Sequence, residues 1–583
     1  MAALRLDLIG RYLRPHRRTV IFGAITLLVV NILSVIIPLE VLRVIDDLQD
    51  DFAFSDVLHQ AGWIVILASV MALARMLSRQ LVFGVGRQVE VELRQRLFDH
   101  MLSQEPGWVQ QIGSGDVINR ATSDVENIRR LLGFAVLSLT NTAMAYCFTL
   151  PAMLAIDPWL TLAAISLYPV MLGTVSLFGG RMMRQQQRQQ ESLSDLSDLI
   201  QEDLSGIGAI KIYGQEEPEQ AAFSERNDAF KAAAIRLART RSTLFPLLEG
   251  ISSISLLVLL ALGTGQLERG SLTIGGLVAL ILYVERLVFP TALLGFTLNT
   301  FQTGQVSLER VEELLKRMPQ ICNPEVPVKL KKPVKGRLEA RELHIHFEGS
   351  QQDTLSGLNF VIEAGELVAV VGPVGCGKTT LARALGRMVD VPRGQLFLDD
   401  HDVNDLTLKD LRSNVSLVPQ EGYLFTSSLA DNLRFGDPQA SMERVAAAAQ
   451  QARLMDDVRG FPDGFNTLVG ERGITLSGGQ RQRTALARAL LVSAPVLVLD
   501  DALASVDNNT ASEILASIRA QQGRTIVMIS HQLSAAAACD RILVMEEGHL
   551  VQQGHHQELI KVPGLYRRLW EREQAAEQLE TVG

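Results

Sequence analysis

The pattern of apolar and polar positions splits the chain into two halves of different texture. Through roughly the first 300 residues, long apolar runs alternate with long polar stretches, whereas later apolar residues come in short blocks. Six of the runs approach the ~20 residues that a helix needs to cross a bilayer. They cover residues 19–39, 57–74, 131–156, 158–180, about 244–267 and about 271–291. Six crossings leave both termini on one side, and the basic residues select that side. The leader carries Arg5, Arg11, Arg14, Arg17 and Arg18, and the second-to-third connection holds Arg79, Arg87, Arg94, Arg96, Arg120, Arg129 and Arg130. Nine Lys or Arg fall between positions 181 and 241. The opposite loops have only Arg43 and Arg269, and the first of them is acidic, with Asp46, Asp47, Asp50, Asp51 and Asp56. The termini and long connections are therefore expected in the cytoplasm.

Those connections, 78–130 and 181–243, are rich in helix formers and read as helices continuing below the bilayer. Breaks at their tips fall around 108–116 and 203–214. Residues 318–335 then bring Pro319, Pro324, Pro327 and Pro333 together, which breaks helices and marks an exposed linker. The division that follows is a membrane domain over 1–317, a linker over 318–335 and a second domain over 336–583.

In the second domain, short apolar blocks deliver chemistry at their ends. Residues 367–371, LVAVV, read as a strand, and 372–379, GPVGCGKT, fit G-x-x-x-x-G-K-[ST] with a helix following. Gly372, Gly375 and Gly377 let backbone amides wrap phosphates, Lys378 reaches the β and γ groups, and Thr379 can ligate Mg²⁺. Further on, Leu476-Ser477-Gly478-Gly479-Gln480 opens a basic helix. Free backbone N–H groups and a helix N-terminus there favour phosphate. The strand VLVL (496–499) then ends in Asp500 and Asp501, acids placed to hold Mg²⁺ or orient water.

On these motifs the chain resembles an ATP-binding cassette (ABC) transporter of the exporter type, and the resemblance covers nearly its whole length. It implies an α-helical membrane domain with six transmembrane helices and long cytoplasmic extensions, followed by an α/β P-loop ATPase domain. It also implies two ATPase domains docked head to tail, with each ATP between the P-loop of one and LSGGQ of the other. ATP and Mg²⁺ are the implied cofactors. Phe347 matches the aromatic that stacks on adenine, Gln420 the glutamine that touches Mg²⁺ or its water, and His531 the histidine that contacts the γ-phosphate. Asp500 matches the Mg²⁺-binding aspartate, and Thr380 and Asp507 complete the implied nucleotide set. The tips near Trp108 to Asp116, and near Lys211 and Glu216, resemble the family's coupling segments.

One residue departs from the pattern. Asp501 stands where the family has the glutamate that polarises water, and its carboxylate falls short by about 1.5 Å, a misplacement that can cost ~10²-fold in rate. Within the family, such a shortened acid often marks the weaker subunit of a heterodimer. The resulting expectation is an ATP hydrolase coupled to transport, slow at its own P-loop, working as half of a dimer with a heterodimer favoured. The cargo is an amphiphilic small molecule, lipid or drug-like compound, and export is favoured. An importer on the same fold, or an ATP-gated channel or regulator, remains as an alternative.

Composition narrows this further. Hydrophobic residues make up 47% of 583 against 20% charged, and mean hydropathy is +0.17, so the apolar excess sits in the membrane half. The formal net charge of −9 gives no footprint for nucleic acid. Cys147, Cys322, Cys376 and Cys539 have no metal or disulfide spacing. The stretch RLDLIGRYLRPHRR reads as a charged amphipathic leader rather than a cleavable signal. A bacterial inner membrane is the expected location. Inside it, Glu249 and Arg286 are expected to pair or line a cavity, with Glu285 as a candidate contact for the cargo.

Overall fold

A computed structural model describes residues 6–48, 54–347, 350, 352–504, 506, 508–520 and 523–582. Arg5, Asp50, Asp51, Ser505 and Asp507 lie outside the described residues. The chain forms two compact units: one holds residues up to 102 with 112–317, the other 103–111 with 318–583.

The first unit contains six helices long and apolar enough to cross a membrane: Arg17–Asp47, Phe54–Ser103, Ser114–Ile156, Pro158–Ser205, Glu216–Glu268 and Ile274–Lys316. A helix satisfies its own backbone, which apolar surroundings require. The 50-residue Phe54–Ser103 helix is about 75 Å long at 1.5 Å per residue, far beyond the ~30 Å hydrocarbon layer. The polar connections are therefore helical extensions. Pro38, Pro151, Pro246 and Pro290 lie inside helices.

The turn between the third and fourth helices is Asp157 alone. Its carboxylate accepts from the Leu160 N–H at 2.8 Å, and Pro158 begins the next helix, where a missing N–H costs nothing. At the same membrane face, Asp46 of the first helix accepts from the Gly275 N–H at 2.8 Å. A Cβ at Gly275 would lie 2.2 Å from the Leu42 carbonyl oxygen, so only glycine lets the first and sixth helices approach there.

Ion pairs hold the extensions together. Glu90, 2% exposed, faces Arg87 and Arg94 at 2.7 Å and Arg129 at 3.4 Å. Arg310 on the sixth helix reaches Asp116 at 3.1 Å and Asp124 at 3.4 Å. The tip charges suggested by sequence are satisfied locally: Asp116 also binds Arg120, and Glu216 accepts from Lys211 at 2.9 Å, which holds its carboxyl below the usual range.

The pairing expected for the membrane charges is not what forms. Arg286 donates to Asn31 at 3.0 Å, while Glu249 and Glu285 are exposed and make no ion pair among the described residues. Arg286 lies 12 residues from the outer end of its helix and Glu249 19 residues from the outer end of its own, an offset of roughly 10 Å along the membrane at 1.5 Å per residue, and the guanidinium turns to the first helix instead.

The second unit is α/β. Its strands are β1 (Leu338–Ile345), β2 (Leu355–Ile362), β3 (Leu367–Val371), β4 (Leu396–Leu398), β5 (His401–Asp402), β6 (Val415–Val418), β7 (Val496–Asp500), β8 (Thr525–Ile529), β9 (Arg541–Glu546) and β10 (His549–Gly554). An antiparallel sheet runs β2-β1-β4-β5, and a six-stranded sheet runs β10-β9-β3-β8-β7-β6. In the latter β9, β3, β8, β7 and β6 are parallel, with β10 antiparallel at one edge. Every residue of β3, β7 and β8 is buried, as a parallel sheet covered on both faces demands. Alternation assigns the faces. Leu367, Ala369 and Val371 join Leu497, Leu499, Ile526 and Met528 in one core, whereas Val368 and Val370 join Val496, Val498, Val527 and Ile529 in the other.

Candidate active site

Open parallel sheets bind ligands beyond the carboxyl ends of their strands. In the order β3-β8-β7-β6, those ends lead to the phosphate loop, His531, the Asp500–Asp501 pair and Gln420. Four chemically distinct groups, spread over more than 150 residues of sequence, thus line one edge.

The loop after β3 turns tightly. Gly375 and Gly377 have φ of 84° and 100°, and a Cβ at Gly377 would lie 2.8 Å from the Thr354 carbonyl oxygen. The left-handed backbone and the lack of room both call for glycine. The helix Lys378–Leu385 follows, with Thr380 in its first turn. Lys378 is 5% exposed, and its ammonium donates to the Gly372 and Pro373 carbonyls, each at 2.8 Å. It is held at the loop by the same carbonyl oxygens that curl around the cradle.

Thr379 donates to Asp500 at 3.2 Å. Asp500 is 4% exposed, and burial pushes its carboxyl above the ordinary aspartate value. A carboxylate burdened by burial, beside a hydroxyl that can also coordinate, suits Mg²⁺ on oxygen ligands. Asp501 next to it takes a left-handed backbone, φ 50°, which aspartate tolerates better than most side chains. Its N–H donates to the Ile529 carbonyl at 3.0 Å, fixing the corner to the end of β8. Ser530 in turn donates its N–H to Val370 at 3.3 Å, so His531 emerges between β3 and β7, exposed. Gln420 is exposed just past β6, and Phe347 is 39% exposed just past β1, so its ring has a free face.

The signature residues form a separate surface. Ser477 caps the helix Gly478–Leu491 in a reciprocal box: its hydroxyl accepts from the Gln480 N–H at 3.2 Å, and the Gln480 side-chain Oε1 accepts from the Ser477 N–H at 2.9 Å. Gly478 and Gly479 fill its first turn, and Ser477 is exposed. Among the described residues, no hydrogen bond or ion pair joins 477–480 to the phosphate loop.

Sequence reasoning missed what supports this surface. Asp457 accepts from Gln480 at 3.1 Å and from Arg483 at 2.7 Å. Arg488 donates to the Tyr423 carbonyl at 2.9 Å, and a Cβ at Gly422 would lie 2.6 Å from that of Ala485, so the glutamine loop lies against the signature helix. Gly422, two positions after Gln420, was the one hint in the sequence.

The class is now defined: an ATP-binding P-loop domain of cassette type, with its own signature, fused to a six-helix membrane domain. Residues 20–291 match the family profile described as "ABC transporter transmembrane region" and 355–504 the one described as "ABC transporter". The chain is 32% identical to "Multidrug resistance-like ATP-binding protein MdlA" of Escherichia coli (strain K12) over 564 residues, 96% of this chain and 95% of that one. It is 33% identical to an "ATP-dependent lipid A-core flippase" of Pseudomonas putida over 513 residues, covering 87% and 84%. A solved structure, "Structure of a bacterial Atm1-family ABC exporter with ATP bound", superposes with a TM-score of 0.77 at 26% identity, covering 96% of this chain and 98% of that one.

The chain belongs to the ABC transporter family, in the exporter form that fuses both domains. It is a multi-pass protein of the bacterial inner membrane with its ATPase domain in the cytoplasm. Membership implies ATP binding and ATPase activity.

Proposed function

We propose that this chain is one half of a dimeric, ATP-driven exporter of an amphiphilic small molecule, a lipid or a drug-like compound. The observation that carries the dimer is the exposed Ser477, which makes no bond to the chain's own phosphate loop. A signature with no ligand-sharing partner in its own chain fits a site closed by a second subunit. The names of the relatives, a multidrug resistance-like protein and a lipid A-core flippase, support an amphiphilic cargo.

In this reading Phe347 stacks on adenine through its free ring face. Amides of Gly372, Gly375 and Gly377 bind phosphate oxygens, with Thr380 at the helix start, and Lys378 neutralises the β and γ groups. Thr379, Asp500 and Gln420 hold Mg²⁺, which supplies charge neutralisation on the phosphates. Asp501 orients the attacking water and accepts its proton, while His531 contacts the γ-phosphate leaving as inorganic phosphate. The opposing Ser477-Gly478-Gly479-Gln480 close the site from across the dimer.

Because Asp501 is one methylene short, we assign this phosphate loop to the slower site of a heterodimer. Inverted vesicles carrying this chain with its partner test both parts. ATP-dependent uptake of a fluorescent amphiphile is expected. Ser477→Ala should cut turnover more than Lys378→Ala, because it damages the partner's faster site. Equal, near-complete loss from both substitutions would point to a homodimer, and absence of ATP-dependent uptake for every amphiphile tried would remove the exporter reading.

A further inference from the structure

Arg286 is a charge that neither the ATP cycle nor the fold uses. It lies 12 residues into the Ile274–Lys316 helix, about 18 Å from its start at 1.5 Å per residue, near the middle of the ~30 Å hydrocarbon layer. Contacts to the first helix fix that depth independently. Asp46 meets Gly275 at the outer end, Tyr283 donates to the Val35 carbonyl at 2.6 Å, and Arg286 meets Asn31 further in.

Two nitrogens of the guanidinium have different fates. Nη2 donates to Asn31 Oδ1 at 3.0 Å, whereas Nη1 is buried and has no hydrogen-bond partner among the described residues. Asn31 is fully buried and already committed, since its amide donates to the Leu27 carbonyl at 2.9 Å and to Asn141 Oδ1 at 3.3 Å. It therefore orients the guanidinium without neutralising it. Among the described residues, Arg286 forms no ion pair with a carboxylate. A guanidinium held at this depth without an acid is left with an unused buried donor. Such an arrangement is costly unless an anion visits it.

We propose that Arg286, oriented by Asn31, is the anchor for the negatively charged head of an amphiphile inside the membrane domain. The inference rests on the exporter reading and narrows its cargo to anionic compounds: phosphate, carboxylate or sulfonate heads on a hydrocarbon tail. A guanidinium offers a planar fork that matches such heads with two parallel hydrogen bonds. The head could arrive on a bilayer lipid or on a foreign amphiphile, because the chemistry of recognition is shared.

Binding to the purified full-length transporter in phosphatidylcholine nanodiscs tests this. Dodecyl phosphate should bind about tenfold more tightly than dodecyltrimethylammonium, the ratio expected for one charge-assisted fork gained by the anion alone. Arg286→Gln should bring the two within about threefold, Arg286→Lys should keep part of the preference, and Asn31→Asp, which supplies an internal counter-charge, should abolish it. Should Arg286→Gln fail to fold, Asn31→Asp and Arg286→Lys still decide. Wild-type binding of both probes with equal affinity, or a preference untouched by Arg286→Gln and Asn31→Asp, overturns the proposal. Competition by phosphatidylglycerol assigns the head to a bilayer lipid, and absence of competition to an incoming amphiphile. ATP-dependent transport of neutral and cationic amphiphiles, with no anion preference in binding, would leave the exporter reading standing and remove this one.

Discussion

Thr379 donates its hydroxyl to Asp500 at 3.2 Å, joining the last residue of the phosphate-loop motif to the last residue of β7. The pair brings together two strand ends, β3 and β7, that are separated in the sheet by β8. Without metal, Asp500 bears a burial cost that this single hydrogen bond only partly offsets.

That cost has a sign. Burial raises the folded-state pKa of Asp500 above its unfolded value, near 3.9. Stability tied to the protonated form is therefore present below the unfolded value and lost as pH rises through the folded one. Asp500→Asn should then stabilise the nucleotide-free protein at pH 7.5 by on the order of 1 kcal/mol, or ~2–4 °C, and the gain should shrink toward pH 5. Thermal unfolding at the two pH values checks this. An unchanged Tm at pH 7.5 sinks the argument, and with Mg²⁺-ATP added the wild type should gain more than the variant.

Asp501→Glu restores the missing methylene. If reach limits water activation, ATP turnover at this phosphate loop should rise by about tenfold or more, toward the ~10² ascribed to a misplaced group. Asp501→Asn should lower it instead. Single-turnover hydrolysis in a complex whose partner loop is disabled isolates this site. A glutamate variant no faster than the wild type shows that distance was not the limit.

The two cytoplasmic tips differ in burial. Trp108, in the short helix Pro106–Ile112, is 9% exposed, and Glu105 beside it accepts from the Ile321 N–H at 2.9 Å. In the helix Ile207–Tyr213, by contrast, Ile212 is 79% and Tyr213 75% exposed. Apolar side chains this open at a helix tip suit a docking partner, and a second subunit's ATPase domain is the one proposed. A cysteine at position 212 should cross-link to that domain, and Ile212→Ser should retain at least half of the ATPase activity while reducing transport about fivefold or more. Cross-links only within one chain would reject the assignment.

Glu90 is surrounded by Arg87, Arg94 and Arg129. The arginines are partly solvated, so the loss on truncation should fall below the 3–5 kcal/mol of a fully buried pair. Glu90→Ala is expected to cost ~1–3 kcal/mol. Thermal unfolding of the full chain measures it, and a loss under about 0.5 kcal/mol would mean the arginines find water as readily as Glu90.

Much of this was legible in sequence because its signals are local. Twenty-residue apolar runs, a glycine pattern ending in lysine, and short strands ending in acids each declare themselves within about two dozen positions. Their lateral order was not legible. That His531 follows a strand lying between those of Lys378 and Asp500 depends on pairing across distant segments. Side-chain direction within the bundle was also hidden. Spacing put Glu249 level with Arg286, yet the guanidinium turned to Asn31. Asp457 illustrates the same limit, since nothing in its neighbourhood announces that it holds Gln480 from 23 residues away.

The single-residue turn at Asp157 has a consequence for how the protein meets its surroundings. Among the described residues, the helices rejoin on the outer face through 157 and 269–273. At these two turns a protease or an antibody approaching from outside finds little chain to grip.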